Sequence, residues 1–125
     1  MRILKVKRKR KLAGGLLPYW LITKIPKEDF CNKYYIMGDL CNMDRSGQPI
    51  PRIDAKELDK VGTRILNGQT LELDLTIAEE TLFVCTMDGC LSNEVWTRDY
   101  LEDDKTVVIN TKGGFKGLSY PVIGD

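Results

Sequence analysis

The sequence contains no histidine among its 125 residues. That absence removes Ser-His-Asp triads, Cys-His pairs and imidazole-ligated zinc. Any catalysis would fall to carboxylates, lysine, tyrosine or cysteine, and no catalytic residue is assigned. A long apolar run is also missing. Residues 12–25 are interrupted by Gly14, Gly15 and Pro18, too short and broken for a bilayer-spanning helix. No small-residue cleavage site follows them, so the expected location is cytoplasmic, with no membrane partner. Neither sign of charge dominates. Nineteen Lys and Arg face 18 Asp and Glu, a net charge of +1, which gives the whole chain no general attraction to polyanions. A phosphate loop is lacking too. Residues 113–117 are glycine-dense but have neither Walker spacing nor a following helix, and no cofactor is expected.

What is present describes a small globular chain. Apolar residues make up 42% and charged residues 30%, enough for one core, and the length fits a single domain over 1–125. In residues 70–77, Leu71, Leu73, Leu75 and Ile77 alternate with Glu72, Asp74 and Thr76. A period of two predicts a strand with four apolar residues on one face. Asn67-Gly68 just before it is a preferred hairpin turn, so residues 63–66 are expected to pair back onto that strand. Residues 82–87 are apolar on both faces, as in a central strand. Asp88-Gly89 is a second hairpin signal, returning through 91–100 with Val95 and Trp96 buried. Residues 106–110 read as another strand, and 118–123 as an edge strand, because Pro121 cannot donate to a ladder.

At the front, residues 2–8 and 16–24 flank Ala13-Gly14-Gly15 and read as an N-terminal hairpin. Pro26 suits a helix start over 27–34. Asp54 is a good N-cap for 55–60, with Gly62 as terminator. The expected fold is mainly β: a small antiparallel β-sandwich, Ig-like or related, with one or two short helices in an insertion at about 26–60. A partly open barrel is the alternative.

Three constellations invite a chemical reading. Cysteines stand at Cys31, Cys41, Cys85 and Cys90. A two-residue loop at Asp88-Gly89 would put Cys85 and Cys90 on one face as diagonal neighbours, near enough to share a metal. The four lack the close pairs of a zinc site, so they are only a weak metal set, and buried thiols are the plainer reading. Asn42, Asp44 and Ser46 before Gly47 resemble a calcium loop, but Ile53 stands where a bidentate Glu belongs and Pro49 and Pro51 interrupt; a type I turn accounts for them. Lys5, Lys7, Arg8, Lys9, Arg10 and Lys11 form a basic run that Tyr19 and Trp20 would approach if the N-terminal hairpin forms, as in binders that join charge to stacking. Alternation favours instead a solvated edge strand with Leu4 and Val6 inward. Trp20 and Trp96 are read as core.

The order Gly62-Thr63-Arg64-Ile65-Leu66-Asn67-Gly68, then Ser92-Asn93-Glu94, then a glycine-rich close at 113–117 resembles a group of small bacterial β-sandwich proteins with a G-x-x-x-x-N-G hairpin and a later S-N-E strand. The resemblance covers about residues 61–118 and implies the fold and a bacterial origin. It implies no activity and carries over no functional residue. The expected function is therefore non-catalytic: a protein-interaction or self-associating module, with an unidentified protein or a second copy as partner. Nucleic-acid binding through the basic run is the alternative. A cysteine-based metal site or enzyme comes last.

Overall fold

The computed structural model describes residues 2–11, 17–34, 36, 52–113 and 119–124. Gly14-Gly15, Cys41, the calcium-like stretch 42–47 and the glycine-rich stretch 114–117 lie outside the described residues. Among the described residues, eight strands and three helices follow one another: β1 (Ile3–Arg8), β2 (Tyr19–Ile22), α1 (Lys27–Tyr34), α2 (Ala55–Val61), β3 (Gly62–Ile65), β4 (Thr70–Asp74), β5 (Thr81–Cys85), β6 (Val95–Trp96), α3 (Thr97–Leu101), β7 (Val107–Gly113) and β8 (Ser119–Ile123). They make two four-stranded sheets, β4-β1-β7-β8 and β3-β2-β5-β6. The fold is thus mainly β, as the patterning predicts, with the sheets face to face. One pairing departs from an antiparallel sandwich: β1 and β7 run parallel.

Burial explains which strands alternate and which do not. Leu4, Val6, Leu73, Val107 and Ile109 of the first sheet meet Leu21, Ile65, Leu82 and Val84 of the second. The second sheet is covered on its other face as well. There Trp20, Ile22, Phe83 and Cys85 pack against Phe30 of α1 and Leu58 of α2. Strands buried on both faces need apolar residues throughout, so β2 and β5 read as unbroken runs whereas β1 alternates. Phe30 meets the Phe83 ring edge-on at 5.3 Å. Each such ring or aliphatic side chain contributes about 1.5–3 kcal/mol by leaving water. Asp54 caps α2, its carboxylate accepting from the Lys56 amide at 2.9 Å. Gly62 follows closely against β2: a Cβ there would stand 2.5 Å from the Leu21 carbonyl oxygen.

Both expected front-end hairpins are overturned. β1 pairs with β4 and β7, while β2 pairs with β3 and β5. The chain therefore changes sheet between β1 and β2, and again at Asn67-Gly68 between β3 and β4. Gly68 does adopt a positive φ of 77°. A turn that reverses the chain serves a corner as well as a hairpin, and local residues do not distinguish them. β1 is consequently an inner strand, not an edge. Further along, Leu71 is partly buried and Leu73 and Leu75 are buried, but Ile77 is 80% exposed, because the strand ends at Asp74 and a turn follows. Trp96 also lies outside the core, at 47% exposure. The expected strand over 91–100 is reduced to two residues followed by α3.

The S-N-E segment is a junction rather than a strand, and each residue closes a different gap. Ser92 Oγ accepts from the Val84 amide at 2.7 Å. The Glu94 carboxylate accepts from the Lys27 amide at the start of α1 at 2.8 Å. Asn93 lies against β8, taking the Ile123 N–H on Oδ1 at 2.8 Å and giving Nδ2–H to the Ile123 carbonyl at 3.1 Å. The Gly124 amide bonds the Val108 carbonyl, so in this register Ile123 and Pro121 turn their backbone nitrogens away from β7. Proline has no N–H to lose there, and Asn93 supplies the partner that Ile123 needs. Replacing Asn93 with Ala should cost about 1–3 kcal/mol in urea unfolding, because it strands buried backbone groups; an unchanged midpoint would refute the seam's contribution.

Candidate nucleic-acid interface

Alternation along β1 sends Leu4, Val6 and Arg8 inward and Lys5 and Lys7 outward. Arg8 therefore leaves the basic surface. It is fully buried, its guanidinium carbon 3.6 Å from the centre of the Tyr19 ring. Nη1 donates to the carbonyls of Leu17 at 2.9 Å and Ile65 at 3.1 Å, while Nε and Nη2 have no hydrogen-bond partner. Burial lowers its pKa from the usual arginine range, an effect that Tyr19 opposes. Beside it, the Tyr19 hydroxyl and Thr111 Oγ1 lie 2.7 Å apart. Tyr19 and Trp20 are buried on the other sheet; Tyr19 meets the run at the buried Arg8, and neither ring is exposed beside the lysines as expected. Trp20 Nε1–H bonds Asp59 at 2.8 Å, and Asp59 also takes Arg64 at 2.9 Å. The bond from Trp20, followed by Arg64, holds the Asp59 carboxyl below its ordinary range.

The lysines remain outside, and β7 adds to them. The parallel register sets Lys7 beside Val108, and the Lys9 amide bonds the Ile109 carbonyl at 2.9 Å, carrying β1 along β7 towards Lys112. The Asn67 side chain fixes the far end, accepting from the Lys11 amide at 2.9 Å and donating to the Lys11 carbonyl at 3.0 Å. Lys11 Nζ reaches the Thr111 carbonyl at 3.1 Å. Lys9, Lys11 and Lys112 then line an open groove of about 430 Å³ with Asn110, Thr111 and Gly113, and no carboxylate among them. Across the next ladder Lys112 pairs with Tyr120 and Asn110 with Val122. Cross-strand partners share a face, so the half-buried Tyr120 stands beside the lysines. The acids sit at the other end of the sheet: Glu72 opposite Lys5, Asp74 opposite Ile3, and Asp104 3.8 Å from Lys5. Arg10 borders the Asn67-Gly68 corner, its Nε 3.2 Å from where a Gly68 Cβ would lie.

Sequence reasoning missed Lys112 and Tyr120. They lie about a hundred residues from the basic run, and only the parallel β1–β7 pairing brings them there.

The cysteines take a different arrangement from the one expected. Cys85 bridges Leu91, and Thr86 pairs with Cys90. The loop is one residue longer than a two-residue hairpin, and a one-residue shift reverses faces. Cys85 and Cys90 therefore point to opposite sides of the sheet. Cys85 shares the core beneath α1 with Cys31, and burial, then the neighbouring Cys31, raises its thiol pKa far above the usual value, the opposite of an activated nucleophile. Among the described residues, no three His, Cys, Asp or Glu side chains are grouped to hold a metal.

One carboxylate is buried against expectation. Glu79 is 8% exposed. It accepts from the Thr23 hydroxyl and from the Thr76 amide. Burial pushes its pKa up, but these bonds and the charge of Lys24 outweigh that and leave it lowered. Its stabilisation is thus complete above the ordinary glutamate range and is lost as pH falls through the depressed folded value. Glu79→Gln should flatten the acid limb of the stability–pH profile and leave the alkaline limb unchanged; thermal melts from pH 3 to 8 would read this, and an unaltered acid limb would refute it.

Comparison with family models, with curated proteins and with solved structures finds no match for this chain.

Proposed function

We propose that the outer face of the β4-β1-β7-β8 sheet binds single-stranded nucleic acid at its basic end. The observation that carries this reading is the meeting of Lys9 and Lys11 with Lys112 around a groove with no carboxylate among its described lining residues, with Tyr120 on the same face. Single-strand binders combine a backbone-tracking basic groove with an aromatic ring on which a base stacks. The groove supplies the first and Tyr120 the second. The other face of the second sheet is roofed by α1 and α2, whereas Lys5, Lys7 and Lys112 on this one stand in solvent. Glu72, Asp74 and Asp104 confine the anion-attracting area to one end, which reconciles a local basic site with a net charge of +1. A strand laid along the Lys7–Lys11 row would place phosphates by the lysines and a base over Tyr120.

The test is fluorescence anisotropy with a labelled oligo(dT) and a matched duplex, titrated with salt. Single-strand affinity should fall with log salt at a slope of roughly −0.7 per phosphate contacted. Lys11→Gln and Lys112→Gln should each reduce that slope by about one contact, whereas Arg8→Met, which changes only a buried group, should leave it as it is. Tyr120→Ala should cost about 1–3 kcal/mol of binding through lost stacking. Salt-independent or absent binding removes the proposal, and a preference for duplex removes the part assigned to Tyr120.

A further inference from the structure

A second surface lies beyond the opposite end of β1. Arg2, Ile77, Glu80, Trp96, Thr97 and Arg98 enclose a notch of about 170 Å³. Two large apolar side chains stand exposed in it, Ile77 at 80% and Trp96 at 47%. Exposed single hydrophobes are ordinary, but these two share one concavity whose walls are tied together by hydrogen bonds. Ile77 sits in a turn closed by the Glu79 amide on the Thr76 carbonyl at 3.1 Å. The buried Glu79 carboxylate grips the same turn through the Thr76 amide and the Thr23 hydroxyl. Thr97 ties the other wall to it, its hydroxyl 3.0 Å from the carbonyls of both Glu79 and Glu80. Arg98 lies over the Trp96 ring at 4.9 Å, which orders its guanidinium at the rim.

From this arrangement we infer that the notch docks an acidic, apolar peptide segment of a partner protein. The apolar pair receives one large aliphatic or aromatic side chain. Arg2 and Arg98 receive flanking carboxylates. Among the described residues neither guanidinium is engaged in an ion pair, and Arg2 Nε has no hydrogen-bond partner. Among the described lining residues Glu80 is the one acid, so the arginines leave an excess of positive charge there. Tryptophan and arginine beside a pocket are the composition of interface hot spots, and a preformed site lowers the ordering cost of binding. Both surfaces favour anionic partners, and the exposed pair Ile77 and Trp96 distinguishes the notch from the lysine groove.

The experiment is selection from a phage-displayed random 12-mer peptide library on the wild-type protein, with Trp96→Ala as the subtraction bait. Trp96 is exposed, so its truncation leaves the core intact. Enriched peptides should carry Asp or Glu within two positions of a large apolar residue. As synthetic peptides they should bind at least tenfold more weakly to Trp96→Ala, Ile77→Ser and Arg98→Glu. They should also shield Trp96 fluorescence from iodide quenching. Selection on Arg98→Glu should turn the preference towards Lys or Arg. No enrichment over the subtraction bait, or enrichment of basic peptides on the wild type, overturns the inference. A concentration-dependent dimer in sedimentation that Trp96→Ala abolishes also overturns it, because the occupant would then be a second copy. The oligo(dT) salt slope should be unchanged in Arg98→Glu, which separates failure here from failure at the lysine groove.

Discussion

Two asparagine side chains act as substitute backbone where the sheets would otherwise end in open polar groups. Asn67 bonds both the N–H and the carbonyl of Lys11, and Asn93 does the same for Ile123. A carboxamide has the same donor and acceptor as a peptide unit, so each completes a ladder that no strand reaches. At Ile123 the backbone groups are partly withdrawn from water and must find partners; at Lys11 they are exposed, and the paired bonds hold the strand end in place. The bonding has a positional result. Asn67 holds the end of β1 beside β7, which puts Lys11 within reach of the groove. Asn93 holds the last strand against the β5–β6 junction, which fixes the strand that carries Tyr120. The lysines and the aromatic ring of the candidate interface therefore stand on two seams closed by the same chemistry.

The two sheets differ in what covers them, and that difference organises the molecule. The central strands of the second sheet, β2 and β5, are buried on both faces, between the first sheet and the helices α1 and α2. The sheet's polar contacts serve structure: Trp20 to Asp59, and Ser92 to Val84. The first sheet buries one face only, and its other face carries Lys5, Lys7 and Lys112. Arg8 lies between these roles. Strand alternation turned a member of the basic run into the core, where it stacks on Tyr19 and donates to two carbonyls without a carboxylate partner. Glu79 is its counterpart at the other end, a buried anion held by hydroxyl and amide donors. Both ions are stabilised by hydrogen bonds to neutral groups, which keeps the inter-sheet core free of ion pairs among the described residues.

Local chemistry made several elements legible. The Asp54 cap and Gly62 terminator delimit α2, and the Pro26 boundary precedes α1. Alternation gave the inward face of β1, and the Pro121 argument placed β8 at an edge. The readings that failed concerned which strand meets which, or where a strand ends. Asn67-Gly68 has the turn chemistry of a hairpin and serves a corner. At Asp88-Gly89 the reversal forms, yet one extra residue moves Cys85 and Cys90 to opposite faces. Ile77 continues the alternating pattern of β4 and still lies in solvent, because the strand ends three residues earlier.

The sequence by itself determined where most of the strands and the first two helices form, which side chains of β1 share a face, and that no histidine chemistry is possible. These depend on residues a few positions apart. Tertiary structure alone decided the pairing of β1 with β4 and β7, and with it the meeting of Lys11 with Lys112. Such pairings are chosen by the burial of one composite core and the satisfaction of distant backbone groups, so no segment contains the information to choose them alone.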